Sequence, residues 1–196
     1  MLYRFLQVLF KIVFKIIFRV EVHNKELIPD ETKKLIICGN HTSNLDPIIM
    51  SAFFDRKINW MGKKELFNNK ILAYFLKKLG VFPVDRHKND LKAVKTALNI
   101  LKKDEVLGIF PEGTRVKEKN YDSIKAGVAL IAQRTESEVL PFYIDGNFKI
   151  FRKINIYYRE PIKIKKEIKY SNEELEEISQ DIMRLVYGDE IKWKLY

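Results

Sequence analysis

Residues 34–54 read KLIICGNHTSNLDPIIMSAFF. The run Leu35-Ile36-Ile37-Cys38 is short and apolar, with two β-branched side chains, and Gly39 bounds it, so it predicts a buried strand. Turn formers follow: Asn40, Ser43 and Asn44. Asp46-Pro47 then gives a helix start, with Asp46 in the N-cap position and proline in the first turn, and IIMSAFF continues the helix. Strand, polar turn and helix in that order form a unit of an α/β layer fold, and they put His41 and Asp46 where such folds bind ligands, beyond a strand's carboxyl end.

The same alternation runs outward through the chain. INWMG around Trp60 reads as a strand, NNKILAYFLKKLG as a helix closing on Gly80, GVFPVDR as an extended run, and NDLKAVKTALNILKKDE as an amphipathic helix. VLGIF is a buried strand stopped by Pro111; SIKAGVALIAQRT is helical; EVLPFYIDG and KINIYYREPI are strand-like. SNEELEEISQDIMRLVYG is a helix with a capping box and an acidic first turn. The expectation is one α/β domain with a central, mostly parallel or mixed sheet flanked by helices. Three extended runs end in polar clusters, GNHTSNLDP, FPVDR and FPEGTR, which places all three in loops.

Composition limits the rest. With 196 residues, 46% apolar, 32% charged, 8 Gly and 6 Pro, disorder and low-complexity scaffolds are excluded and one core is expected. A single cysteine, Cys38, excludes an internal disulfide and a multi-thiolate zinc site and fits a reducing compartment. The net charge of +10 calls for an anionic partner.

The opening, MLYRFLQVLFKIVFKIIFRV, carries Arg4, Lys11, Lys15 and Arg19, no acid, and only apolar or aromatic residues besides Gln7. On a helix these cations fall within a stripe about 80° wide. Residues 1–20 are expected to form an amphipathic helix, and 21–196 the domain proper. The helix would reach about 30 Å, but each cation near a bilayer's centre would cost about 2.5–3.5 kcal/mol, which disfavours spanning. No small-residue cleavage site follows, which disfavours a signal peptide and export. Two readings remain. Such a helix can lie in a membrane interface with Phe5, Phe10, Phe14 and Phe18 among acyl chains, the favoured reading, or cover the domain's own core. Cations also gather over residues 149–169, either on the same membrane-facing side or along a solvated strand edge. Nucleic acid is disfavoured as the partner, because the densest cation stripe lies on the greasiest helix.

His41 and Asp46 are five positions apart, about 140° around a continuous helix, so they meet only across a turn. There the carboxylate can fix the imidazole tautomer and stabilise the imidazolium, making a general base that needs no serine or cysteine nucleophile if the substrate brings a hydroxyl. Arg86 and Arg115 can take phosphate oxygens bidentately. Against this stands a hydrogen-bonded turn with surface ion pairs. His23, His87 and Cys38 are read as structural.

Taken in order, these clusters resemble the 1-acylglycerol-3-phosphate acyltransferases within the wider glycerolipid acyltransferases. Asn40, His41, Ser43 and Asp46 match the family's first block, Gly80–Arg86 its second, Phe110–Arg115 its third, and VLPFY with Pro141 its fourth. The helix opening at Lys125-Ala126-Gly127 is also similar. Val116 stands where many members have serine, and Pro83 interrupts the second block.

The resemblance implies acyl transfer from an acyl carrier protein or coenzyme A thioester to the free hydroxyl of lysophosphatidic acid, giving phosphatidic acid, with no metal or other cofactor. His41 and Asp46 would be catalytic, Arg86 and Arg115 would hold the acceptor phosphate, and Glu112, Gly113 and Thr114 would position substrate. Glu112 would bond the glycerol or lock Arg115, and amides near Gly113 or at the helix starting at Pro47 would serve as oxyanion donors. The expected partner surface is an anionic membrane and the expected location its cytoplasmic face, with one interfacial helix and no transmembrane hairpin. Alternatives are another lysolipid or glycerol-3-phosphate as acceptor, or a thioesterase or lipid hydrolase that directs the His-Asp pair at water.

Overall fold

The structure, a computed structural model, describes residues 2–30, 32–86 and 90–191. The chain runs α1 (Leu2–Ile17), β1 (Arg19–His23), β2 (Leu35–Gly39), α2 (Asp46–Phe53), β3 (Ile58–Lys63), α3 (Lys70–Lys78) and β4 (Phe82–Val84). It continues with α4 (Leu91–Leu101), β5 (Val106–Ile109), α5 (Gly127–Thr135), β6 (Glu138–Asp145), β7 (Lys153–Tyr158), β8 (Ile162–Lys163) and α6 (Asn172–Tyr187). One mixed sheet in the order β1-β7-β6-β2-β5-β3-β4 holds them, with β8 beside β6.

From β6 to β4 the neighbours are parallel. β7 and β8 run antiparallel to β6, and β1 runs parallel to β7. The carboxyl ends of β2, β3, β4, β5 and β6 therefore share one edge of the sheet, and β1 and β7 begin there.

Two apolar layers follow from the strand period. Along β2, Ile36 and Cys38 face one layer, shared with α4, α5 and α6; Leu35 and Ile37 face the other, shared with α1 and α2. Both layers are dry, so all of β2 is buried. The helix starts are local chemistry: Asn69 and Asp90 accept the first free N–H groups of α3 and α4, and Ser171 and Glu174 form the capping box expected for α6.

Four expectations shift. The opening helix stops at Ile17, and Arg19, read as part of its cationic stripe, starts β1, whose Val20 and Val22 sit half-buried in alternation with exposed neighbours. Asp46 is the first residue of α2 and its N-cap is Leu45, because the Asp46 carboxylate turns back toward the preceding loop. The helix read from Ser123 begins only at Gly127, after a single tight turn over Tyr121–Ser123. The basic stretch 149–169 is divided between a loop, the interior strand β7 and the β8 region.

α1 combines both readings of its apolar surface. Phe14 and Phe18 are buried in the layer over α2, Phe10 is half-buried, and Gln7 anchors the helix by donating to the carbonyls of Ser51 (3.0 Å) and Phe54 (2.7 Å). Of the four phenylalanines only Phe5 lies in the open, and it starts a different stripe: Phe5, Val8, Leu9, Ile12 and Ile16, all exposed at helical spacing. No helix among the described residues is long and apolar enough to cross a membrane.

Candidate active site

The site is built where β2 ends. A Cβ on Gly39 would lie 2.2 Å from the Phe142 ring, so only glycine lets the strand reach this point. The buried side chain of Asn40 extends the ladder, donating to the carbonyl of Ile144 (3.0 Å) and accepting its N–H (2.8 Å).

His41 is next, 8% exposed, and is held from four directions. Its Nδ1 lies 3.0 Å from Asp46 Oδ2. Its backbone N–H donates to Glu112 Oε2 (2.7 Å), and its carbonyl accepts the N–H of Val116 (2.9 Å). Its ring stacks on Phe110 at 4.3 Å, Phe110 stacks on Trp60 at 4.8 Å, and Trp60 donates through Nε1 to Ser51 Oγ at 2.9 Å. Gly108 makes room beneath, since a Cβ there would stand 2.4 Å from the Trp60 ring.

Asp46 is fully buried, and its Oδ2 also accepts the N–H groups of Thr42 and Ser43, both at 2.7 Å. A turn closed on one carboxylate oxygen thus brings the two residues together. The carboxylate can only accept, so Nδ1 carries the proton and Nε2 keeps its lone pair, with no partner among the described residues. Such an arrangement can act as a general base, since the carboxylate sets the tautomer and the Phe110 stack sets the ring plane.

Glu112 is the surprise. One oxygen accepts the N–H of His41 and the other accepts the Tyr187 hydroxyl (2.9 Å) at the end of α6; neither is bonded to Arg115. Burial pushes the Glu112 carboxyl up from 4.5 to about 7, against the pull of these two hydrogen bonds, and the Asp46 charge adds to the rise. The Tyr187 hydroxyl is in turn driven well above its usual value by burial and by the neighbouring Glu112 charge.

Gly113 turns the chain with φ 67°, the left-handed region glycine favours, and its N–H is taken by the carbonyl of Phe110 (3.0 Å). The amides of Ile48 and Ile49 at the start of α2 are likewise taken, by the carbonyl of Leu45. Both places named in advance for oxyanion donors thus have these amides engaged. Thr114 and Arg115 are exposed on a short turn whose two ends, Glu112 and Val116, are both bonded to the His41 backbone. Arg115 is therefore tied to the imidazole's own residue.

Arg86 is not. It is exposed at the end of β4, three strand spacings or about 14 Å from β2. Partial burial lowers the Arg86 pKa, and nearby Glu65 opposes that. His87 lies outside the described residues. His23 stacks on Tyr157 and meets Asn155 Oδ1 at 3.1 Å, and Cys38 is buried in β2, its thiol driven well up by burial. Among the described residues no three His, Cys, Asp or Glu side chains gather as a metal site would require.

The profile of the acyltransferase family matches residues 19–145. A Bacillus subtilis 1-acyl-sn-glycerol-3-phosphate acyltransferase is 36% identical over 146 residues, 74% of this chain and 72% of the relative. The Streptococcus pneumoniae protein of the same name is 30% identical over 167 residues, 82% of this chain and 62% of that one. The fold is similar to the crystal structure of the 1-acyl-sn-glycerophosphate (LPA) acyltransferase PlsC from Thermotoga maritima, with a TM-score of 0.72, 22% identity, and coverage of 95% of this chain and 77% of that one. The match spans all three polar loops and the strands that carry them, and on it the chain belongs to the acyltransferase family.

Proposed function

We propose that the chain moves a fatty acyl group from an acyl thioester, on acyl carrier protein or coenzyme A, to the sn-2 hydroxyl of 1-acylglycerol-3-phosphate, giving phosphatidic acid. The observation that carries this is the buried His41–Asp46 pair at 3.0 Å, with Nε2 unpartnered among the described residues and the turn that bears Arg115 tethered to the His41 backbone. The names of the relatives support the choice of acceptor.

Nε2 of His41 takes the hydroxyl proton as the acceptor oxygen bonds to the thioester carbonyl carbon. The C–S bond then breaks, and the thiolate leaves with the proton that His41 accepted. Asp46 stabilises the imidazolium between these steps, and the Phe110 stack keeps the ring from swinging. General-base assistance of this kind is worth about 10²–10⁴ in rate. Arg115 grips the acceptor phosphate, while Gly113 and Thr114 shape the turn against the glycerol; holding the hydroxyl near Nε2 adds a positioning gain. Glu112 positions His41 through its backbone. No metal or other cofactor takes part in these steps.

The exposed stripe of α1 lies in the interface of an anionic membrane at its cytoplasmic face, where the acceptor resides and the acyl donor arrives from water. Arg4 and Lys15 are exposed on the same helix and meet lipid phosphates.

The test measures thiol release by purified protein with and without lysophosphatidic acid. Release should depend on acceptor, His41→Ala should lose it by about 10²-fold or more while still binding lipid, and Arg115→Ala should chiefly raise the acceptor KM. Equal release without acceptor would make the protein a hydrolase; turnover retained in His41→Ala would remove the base.

A further inference from the structure

We infer that the loop between β6 and β7, residues 146–152, is a second membrane-inserting element, with Ile150 and Phe151 entering the apolar layer of an anionic bilayer beside the last turn of α1. The inference rests on the interfacial reading of α1 and extends it to a segment far away in sequence.

The loop exposes what a water-facing loop ordinarily hides. Ile150 is 68% exposed and Phe151 72%, two large apolar side chains in succession. Phe151 sits at φ 61°, in the left-handed region that a bulky residue without glycine's freedom rarely adopts. The surroundings impose that conformation. The Phe151 N–H donates to the carbonyl of Ile17 (2.7 Å), one of the end carbonyls that a helix leaves without a partner, and Arg152 N–H closes the turn on the Lys149 carbonyl (3.0 Å). Phe148 faces inward and meets Phe18 edge-on at 5.7 Å. The loop is thus fastened to the end of α1, and its two greasy residues are held outward.

Charge points to the same occupant. Residues 146–153 carry Lys149, Arg152 and Lys153 and no acid; Lys153 is paired with Glu21 (2.6 Å), while Lys149 and Arg152 are exposed on either side of the apolar pair. Lys15 and Ile16 at the end of α1, the latter 68% exposed, and Arg19 at the start of β1 extend the surface. Apolar tips ringed by cations complement acyl chains beneath anionic headgroups.

Position gives the arrangement its use. β6 lies one strand spacing, or about 5 Å, from β2 and delivers the loop to the same edge at which β2 leads into His41. α1 begins near the opposite edge, where Tyr3 Oη accepts the N–H of Ile58 at the start of β3, and finishes at the site edge. A stripe along one helix leaves the protein free to roll about the helix axis. A second contact at the helix end, off that axis, stops the roll and turns the His41 edge toward the lipid.

Cys38 is buried, so an introduced cysteine takes a thiol-reactive fluorophore selectively. The experiment places an environment-sensitive label at Ile150→Cys and, separately, at Ile12→Cys on α1, and adds vesicles of phosphatidylglycerol and phosphatidylcholine in equal parts. Both labels should shift to the blue and be quenched by nitroxide lipids. The unlabelled Ile150→Ser/Phe151→Ser variant should partition onto the vesicles about tenfold less well, with turnover on a dispersed short-chain acceptor unchanged. A response at Ile12 without one at Ile150 overturns the inference and leaves the α1 reading standing; silence at both overturns both. Partitioning of the double variant equal to that of the unaltered protein also overturns it.

Discussion

Replacing Glu112 by Gln should make the protein more stable at alkaline pH and leave it nearly unchanged in acid. Glutamine keeps an oxygen for the His41 N–H and offers an amide to the Tyr187 oxygen, so both contacts survive, while the charge that burial disfavours is gone. The folded-state value of about 7 lies above the usual 4.5. In that window the folded protein holds a proton that the unfolded chain has released. Stability from this group is therefore fully present below 4.5, falls as the pH rises toward 7, and levels off above it. Over the whole interval the fall is about 3 kcal/mol, or roughly 6–12 °C in Tm for a chain of this size. Urea unfolding of both proteins across this interval, followed by circular dichroism, isolates the effect, because every other titrating group is common to the two and cancels in the difference. Parallel pH dependences would refute the reasoning, since a carboxyl that is already ionised in the folded state has nothing to lose.

Three further outcomes follow from the same contacts. Tyr187→Phe removes a donor that pulls Glu112 down, so the pH-dependent loss of stability should move to higher pH in the same unfolding series; an unmoved curve would mean that the hydroxyl does not support the carboxylate. Asp46→Asn should lower kcat by about 10²–10⁴ in a thiol-release assay, because an amide neither fixes the Nδ1–H tautomer nor balances an imidazolium, and an unchanged kcat would remove Asp46 from that role. Gly108→Ala places a Cβ 2.4 Å from the Trp60 ring under the His41 stack, and should destabilise by about 1–3 kcal/mol in urea; a neutral result would mean that the aromatic column is free to shift.

Much of this architecture was legible in the residues because period and punctuation are local. KLIICG, VLGIF and the capped helix from Ser171 reveal themselves within a dozen positions, and the polar clusters at strand ends put His41, Glu112 and Arg115 on loops, and Asp46 at the start of α2, at one edge. β1 is not legible in the residues because RVEVH is brief and follows a helix whose cationic spacing runs on through Arg19. The turn of Asp46 toward Thr42 and Ser43 was hidden for a related reason: an Asp-Pro pair looks like a cap, and only the loop's return shows which amides the carboxylate takes. Tyr187 gave no local signal at all, standing 75 positions from Glu112 at the end of a helix whose pattern is explained by packing.

The contacts that escaped the sequence are those that join the loops to one another. Glu112 and Val116 close on the N–H and the carbonyl of His41, so the turn bearing Arg115 is coupled to the His41 main chain. Tyr187 fastens the same carboxylate to α6, and the Asn40 amide fastens the residue before His41 to β6, the strand that leads into the loop carrying Ile150 and Phe151. On the proposed function, an anion that met Arg115 would therefore be registered against Nε2, and a membrane that seated the β6–β7 loop would be registered against both. The short chain of hydrogen bonds through one histidine backbone is the frame that the proposed chemistry would need to bring a lipid phosphate, a proton acceptor and a membrane contact into one register.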